Sequence, residues 1–241
     1  MAGSNVIQIN NSKGNLLIRN DLIPINCMDY GFWPKAVGRT DGNLPAPSGW
    51  GMKKSDNIGM SSSYCFTADI SLDGYGDCFV AFKPDAFSQV VDLKIVYDNG
   101  KKARIWTGEA ESDIQFFIFA AQSQRTEDCG LQLYHPDSGQ VTFDSCWDMM
   151  LPVKVVRVPT DGTYVAHGLG YKPAVIPLNT AAATWVEEHR KHDNYCFFNY
   201  GISVDETNLR LACPHEKNGP IIPQPFYQTY IDVLLVNVNH I

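Results

Sequence analysis

The segment Gly130–Cys146 reads GLQLYHPDSGQVTFDSC and carries the signal for a complete β-hairpin. Apolar and polar residues alternate on both sides of a central turn, which is the period of 2 expected of half-buried strands. The turn, HPDSG, combines a proline, two residues that bond back to the backbone, and a glycine. Because two strands alone cannot bury an apolar face, we predict that this hairpin belongs to a larger sheet. Its apolar face would consist of Leu131, Leu133, Val141 and Phe143.

Strand and turn signals recur along the rest of the chain. The pair Asn99-Gly100 predicts a tight hairpin between Leu93–Tyr97 and Ala103–Thr107, because both turn residues tolerate positive φ. No segment combines helical periodicity with helix caps, and the only candidates, residues 85–91 and 184–192, are short.

Two segments are apolar enough to be central strands. Asp113–Ala121 (DIQFFIFAA) is apolar over nearly its whole length, so we predict a strand that is covered on both faces. We expect the Gly130–Cys146 hairpin to be its neighbour. Phe226–Asn237 predicts a second central strand near the end of the sequence.

The composition supports the same fold class. Only 19% of residues are charged and 12% are aromatic, with 19 Gly and 14 Pro, which favours strands and turns over surface helices. We therefore predict an all-β protein of antiparallel hairpins in a β-sandwich-like arrangement. Turn residues at Pro159-Thr160-Asp161-Gly162 predict a boundary between two β domains. These are a β-sandwich-like N-terminal domain, 1–158, and a small C-terminal β domain, 159–241.

Charge and cysteine content exclude several classes of protein. A net charge of −7 argues against nucleic acid as a partner, because phosphate binding needs a basic surface. No apolar run reaches the length of a membrane span, and the first residues lack a secretion signal, so we expect synthesis in a cytoplasm. The seven cysteines are odd in number and form no Cys-x-x-Cys, which predicts mostly reduced core residues.

The densest group of potential metal ligands is Glu187, Glu188, His189, His192 and Asp193. It lacks the His-Glu-x-x-His order that places two imidazoles and a base on one helical face. We interpret it as a solvated, charged turn.

Another histidine, His167, lies in the sequence His-Gly-Leu-Gly-Tyr. The glycines and the nearby Pro173 indicate a tight connection between strands. We therefore predict that the imidazole bonds backbone groups and has no catalytic role.

Other arrangements that could support catalysis or ion binding are incomplete. There is no Gly-x-Ser-x-Gly nucleophile motif. The carboxylate pairs, Glu109 with Glu111 and Asp144 with Asp148, would serve glycan hydrolysis only across a cleft of defined width. The Asp73–Asp77 segment has too few acids for a calcium-binding EF-hand. The sequence therefore predicts no catalytic, cofactor or metal site.

Three segments carry a resemblance to a known class of proteins. The first is GNLLIRNDLIPINC, Gly14–Cys27, and the second is the Gly-Leu-Gln strand with the Val-x-Phe-Asp-Ser return strand in Gly130–Cys146. The third is YVAHGLGYKPAVIPLN, Tyr164–Asn179. In this order they resemble segments of small tail-tip and tail-fibre-associated proteins of long-tailed, siphovirus-type bacteriophages.

The resemblance implies a non-enzymatic virion component at the tail tip or the fibre attachment, with no catalytic residues to carry over. Such a protein would associate with copies of itself, with a larger tail protein and with the host surface. A homotrimer is the first expectation, by analogy. The protein would be synthesised in the host cytoplasm and located in the virion tail.

Two other functions stay open at this point. A carbohydrate- or receptor-binding module of a tail fibre would use exposed aromatic side chains, which are favoured anchors at interfaces. The candidates for such contacts are Trp33, Trp50, Trp185 and Tyr195. The first two lie in the irregular stretch 31–63 and fit equally well as buried anchors of a long loop. The third function is a tail-borne glycan hydrolase.

Overall fold

A computed structural model describes residues 8–10, 16–19, 23–33, 51–54, 64–87, 89–97, 99–107, 112–123, 130–188, 193–212, 221–222 and 229–241. These residues form strands and turns and contain no helix, so the all-β prediction is confirmed. The strands are, in chain order, β1 (Gln8–Asn10), β2 (Leu16–Arg19), β3 (Asn26–Trp33), β4 (Gly51–Lys54), β5 (Tyr64–Ser71), β6 (Cys78–Pro84), β7 (Val91–Tyr97), β8 (Lys101–Thr107), β9 (Ile114–Ala120), β10 (Gln132–Tyr134), β11 (Val141–Asp144), β12 (Leu151–Pro159), β13 (Val165–Ala166), β14 (Ala174–Pro177), β15 (Ala182–Glu188), β16 (Asp193–Asn199), β17 (Gly201–Val204), β18 (Asn208–Ala212), β19 (Ile221–Ile222) and β20 (Tyr230–Asn237).

Two large antiparallel sheets enclose the main hydrophobic core, as expected of a β-sandwich-like protein. The six-stranded sheet has the order β12-β20-β14-β6-β9-β3, and the seven-stranded sheet has the order β13-β18-β17-β7-β8-β5-β4. Smaller sheets pair β1 with β2, β10 with β11, and β15 with β16 and β19. The largest fully buried side chains of the main core include Phe82, Ile105, Ile114, Ile118, Ile202, Leu209 and Leu211.

The six-stranded sheet is apolar on both faces. Its inner face joins the main core, whereas Phe117 and Phe119 point to a second cluster on the outer face together with Ala81, Ile176 and Val236. Strand β9 lies between β6 and β3, so both sets of its alternating side chains are covered. This confirms the prediction from its continuous apolar sequence. β20 is likewise central, between β12 and β14.

The hairpin β7–β8 forms at the predicted turn. Asn99 has a φ of 51° and Gly100 has a φ of 114°, the left-handed region that these residues tolerate. The Asp73 carboxylate accepts a hydrogen bond of 3.0 Å from the Lys101 backbone N–H, which ties this turn to the one between β5 and β6. Local sequence was sufficient here because the turn residues fix the register of the hairpin.

The hairpin β10–β11 departs from its prediction. Leu133 and Phe143 are buried, as expected, but Leu131 is 53% exposed. The register shifts at Thr142, because Leu133 faces Phe143 and Tyr134 faces Val141. Such a bulge breaks the strict alternation of faces.

The predicted position of this hairpin was also wrong. Among the described strands it forms a two-stranded sheet of its own, and the neighbours of β9 are β6 and β3. Asp144 is buried as well, where it accepts hydrogen bonds from the Gln132 side chain at 2.8 Å and from the Cys146 backbone at 2.9 Å.

The predicted boundary at 158/159 does not separate the sheets. Strands from residues 26–120 and strands from residues 151–237 contribute to both large sheets. The boundary falls inside β12, which pairs along its length with β20. The turn at 160–162 therefore connects β12 to β13, and both belong to the strands of residues 151–237. Local turn composition could not reveal this, because sheet membership depends on pairing between distant segments.

Candidate functional site

In both large sheets, strands from residues 26–120 lie next to strands from residues 151–237. We call the contact between these two groups of strands the seam. In the six-stranded sheet the seam consists of one residue pair between β6 and β14, Phe82 with Val175. In the seven-stranded sheet it consists of one pair between β7 and β17, Val91 with Ile202. In the described chain no other residue pair joins β6 to β14, and a cavity lies at each end of this contact.

Close backbone contact holds the seam together. A Cβ atom at Gly201 would lie 2.8 Å from the carbonyl carbon of Val91 and 2.8 Å from a methyl group of Val90. The adjacent Ser203 hydroxyl, which is buried, donates a hydrogen bond to the Phe87 carbonyl across the seam. Only glycine permits the two backbones to approach this closely.

An apolar groove of about 380 Å³ lies at one end of the β6–β14 contact. The start of β6, the end of β14 and the middle of β7 form its walls. Phe79, Ile95 and Leu178 expose apolar surface here, and Lys94 and Asn179 supply polar groups.

A charged pocket of about 220 Å³ lies at the other end of the same contact. Three of its residues form a row across adjacent strands, because Gln115 of β9 faces Phe32 of β3 on one side and Lys83 of β6 on the other. Directly opposed residues in a sheet share one face, so the row lies on the outer face, the same face as Phe117. The remaining polar walls come from Asp85, Asp113 and Lys172.

Lys172 crosses the seam at this pocket. Its ammonium group donates a hydrogen bond of 2.7 Å to the backbone carbonyl of Asp85. Burial lowers the pKa of Lys172; the negative charges of Asp85 and Glu206 oppose that effect, and the positive charge of Lys83 adds to it. The pocket therefore contains two cations close enough to repel each other.

Of the four predicted contact residues, the structure describes the side chain of Trp33. Trp33 is only 4% exposed and packs against Phe116 with ring centroids 4.8 Å apart, so it is a core anchor and not a contact residue. Trp50 lies outside the described residues. Trp185 and Tyr195 occupy neighbouring positions of β15 and β16, but their side chains also lie outside the described part. Phe32, the neighbour of Trp33 in sequence, is 58% exposed.

The structure tests one of the predictions about histidine. His167 is buried, its Nε2 donates to the Asp205 carbonyl at 3.0 Å, and its Nδ1 accepts from the Leu169 backbone N–H at 3.3 Å. The prediction that this imidazole bonds backbone groups is confirmed. His189 and His192 lie outside the described residues.

The described cysteine side chains, those of Cys27, Cys78 and Cys146, form no disulfide with one another. Cys27 is buried, and burial raises the pKa of its thiol to about 12, an effect to which the nearby Asp148 carboxylate contributes. Cys78 is partly buried and Cys146 is exposed, so among the described cysteines Cys27 is the one that lies in the core as predicted.

The acidic segments that the sequence singled out are structural where they are described. Asp73 and the glycines at 74 and 76, both with positive φ, form the turn between β5 and β6. Asp144 closes the β10–β11 hairpin, and Glu109 and Glu111 lie outside the described residues. Within the described ranges, no three His, Cys, Asp or Glu side chains are grouped so that they could hold a metal ion.

Comparisons with known proteins found no matching family model, no matching curated protein and no matching solved structure. The described residues contain no helix with the length and apolar character needed to cross a membrane.

Proposed function

We propose that this protein is a non-enzymatic structural component of a bacteriophage virion, located at the tail tip or fibre attachment. It would act by associating with copies of itself and with a larger tail protein. The observation that carries the proposal is the exposed apolar surface of the six-stranded sheet. The resemblance of Gly14–Cys27, Gly130–Cys146 and Tyr164–Asn179 to tail proteins gives the proposal its specific setting.

Large apolar side chains are exposed on both edge strands of this sheet and within it, although both of its faces already carry buried apolar residues. Exposed apolar side chains on edge strands are candidates for contact with another chain. The exposed residues lie on β3, β6 and β12 and directly after β14: Tyr30, Phe32, Phe79, Leu151, Val153, Val155 and Leu178.

A second copy of the chain is the occupant that we propose for the edge strand β12. Its sequence, LPVKVVRVP, contains Lys154 and Arg157 and no acidic residue. Arg157 is paired with Asp232 of β20, so Lys154 supplies the net positive charge of this edge, within a chain of net charge −7. This charge favours contact with a different, acidic surface of the next copy over contact with another β12. Contacts between two different surfaces close into rings, which is consistent with a trimer.

The contact at β12 would use side chains and not extension of the sheet. Pro152 lacks a backbone N–H, and the register shifts around Val153, which is the mark of a β-bulge. Prolines, bulges and lysines are features that keep edge strands from pairing with further strands. Val155, which is 55% exposed, would be the central apolar contact.

Light scattering coupled to size-exclusion chromatography tests the association. We expect the wild type to be a homo-oligomer, trimeric by analogy. We expect Val155→Asp to dissociate it into monomers that remain folded, as shown by cooperative thermal unfolding. Tyr97→Asp is the matched control, because Tyr97 is 81% exposed on the other large sheet. A monomeric wild type, or equal dissociation by both variants, would overturn the proposed association.

Virion location has its own measurement. Mass spectrometry of purified phage particles is expected to detect the chain among the tail proteins. If the chain is absent from particles whose genome encodes it, the virion assignment fails.

A further inference from the structure

The charged pocket at the β6–β14 contact combines an aromatic surface with polar groups in a fixed row. Phe32, Gln115 and Lys83 lie directly opposite one another on three adjacent strands. Because neighbouring strands are about 4.8 Å apart, the backbones of Phe32 and Lys83 are separated by about 10 Å. The row therefore places a ring, an amide and an ammonium group along one side of a 220 Å³ cavity.

A second cation and two carboxylates complete the lining. Asp85 directly follows β6 and Asp113 directly precedes β9, so both carboxylates lie beside the row. Lys172 stands across the seam from Lys83, held by its hydrogen bond to the Asp85 carbonyl. In the described part of the chain, the Lys83 ammonium makes no hydrogen bond or ion pair. An anion between the two ammonium groups would relieve their repulsion and gain charge-assisted hydrogen bonds.

The carboxylates of Asp85 and Asp113 restrict which anion fits. Ionised carboxylates only accept hydrogen bonds, so a ligand beside them must bring donors. A multiply charged phosphate brings more negative charge and at most one donor, so it is disfavoured beside two carboxylates. A singly charged carboxylate that carries several hydroxyl groups satisfies both the ammonium groups and the carboxylates.

We propose that this pocket binds an acidic saccharide residue, of the uronic or sialic acid class. The sugar carboxylate would lie between Lys83 and Lys172, and its hydroxyl groups would donate to Asp85 and Asp113 and bond the Gln115 amide. The apolar face of the sugar ring would pack on Phe32, which presents its ring to solvent. Apolar contact with a few convergent polar groups is the usual composition of a small-molecule site.

This inference goes beyond the proposed assembly role and does not depend on it. The pocket is formed by β3, β6, β9 and the turn before β14, whereas the proposed subunit contact is on β12. Phe32 is also one of the exposed apolar residues of this sheet, so the two roles are separated by Lys83→Gln, which changes the pocket, and Val155→Asp, which changes β12.

The test is a titration of the full-length protein, followed by NMR chemical shifts, with three acidic sugars. Glucuronate, galacturonate and N-acetylneuraminate are each compared with a neutral sugar. The neutral counterparts of the two uronates are glucose and galactose, which have a hydroxymethyl group in place of the carboxylate. We expect at least one acidic sugar to bind about tenfold more tightly than its neutral counterpart, a difference of about 1.4 kcal/mol. The shifted amides should include those of residues 32, 83 and 115.

Variants assign the binding to the pocket. Lys83→Gln and Phe32→Ala should each weaken binding about fivefold or more. Matched controls at exposed positions outside the pocket, Lys154→Gln on β12 and Tyr97→Ala on β7, should leave binding unchanged. Thermal unfolding of each variant checks that the fold is retained. Lack of binding by all three acidic sugars, equal binding of the neutral sugars, or equal loss in the control variants would overturn the proposal.

Discussion

Replacing Gly201 with alanine probes whether the seam holds the two strand groups together. The added Cβ would lie 2.8 Å from the Val91 carbonyl carbon and 2.9 Å from its oxygen, distances that force something to move. Those atoms belong to the backbone, so no side-chain rotation can relieve the overlap. The backbones of β7 and β17 must separate at Val91 and Ile202, the only residue pair that joins these two strands in the described chain.

The magnitude follows from two opposing effects. Overpacking in a well-packed core costs about 1–3 kcal/mol. Alanine in place of a strand glycine returns about 0.5–1 kcal/mol, because the unfolded chain loses conformational freedom. Gly201 is not among the glycines with positive φ, so alanine adds no torsional strain there. The middle of the resulting range is a net loss of about 1 kcal/mol, which for a chain of this size lowers Tm by about 2–4 °C.

The assay is urea unfolding followed by tryptophan fluorescence, together with hydrogen exchange of the Ile202 and Val91 amides. Gly31→Ala is the matched control, because Gly31 also lies in a strand without positive φ and its new Cβ would meet the Phe116 ring at 2.8 Å. A ring can shift, so the control should lose less stability and leave seam exchange unchanged. If Gly201→Ala is as stable as the wild type, or Gly31→Ala costs more, the reasoning about the seam is wrong.

Two further predictions concern buried polar groups. Burial raises the pKa of Asp92 to about 6, against which the nearby Lys94 acts, so the folded protein binds this proton more tightly than the unfolded chain does. The stability that this group contributes is present below about pH 4 and is lost as pH rises through about 6. The stability of Asp92→Asn relative to wild type should therefore be about 3 kcal/mol greater at pH 8 than at pH 4. A difference in urea unfolding that does not change with pH would contradict this. His167→Phe removes both ring hydrogen bonds and leaves the Asp205 carbonyl without the hydrogen bond from the ring. We therefore expect the free energy of unfolding in urea to fall by about 1–3 kcal/mol. An unchanged midpoint would show that solvent replaces those bonds.

Most residues of the candidate site could not be identified from the sequence. Aromatic residue type pointed to Trp33, but strand alternation places that side chain in the core and exposes its neighbour Phe32. Alternation along β3 could have identified Phe32 if the bounds of the strand had been known. Lys83 and Lys172 gave no signal, because the residues between them in the chain do not indicate that they meet across the seam.

By itself, the sequence determined the features that depend on neighbouring residues. The all-β class, the β7–β8 turn, the strand β9 covered on both faces and the backbone role of His167 all follow from alternation, turn chemistry or local composition. Such features are settled within a few residues, since side-chain period and φ preference are properties of the local chain.

Only the tertiary structure decided how the strands combine. The isolation of the β10–β11 hairpin, the placement of β12 beside β20 and the row of Phe32, Gln115 and Lys83 depend on register between segments far apart in sequence. Register is a property of pairs, and a shift of one residue moves every side chain of a strand to the opposite face. No single segment contains that information, which is why the seam and its pockets emerged only from the assembled sheets.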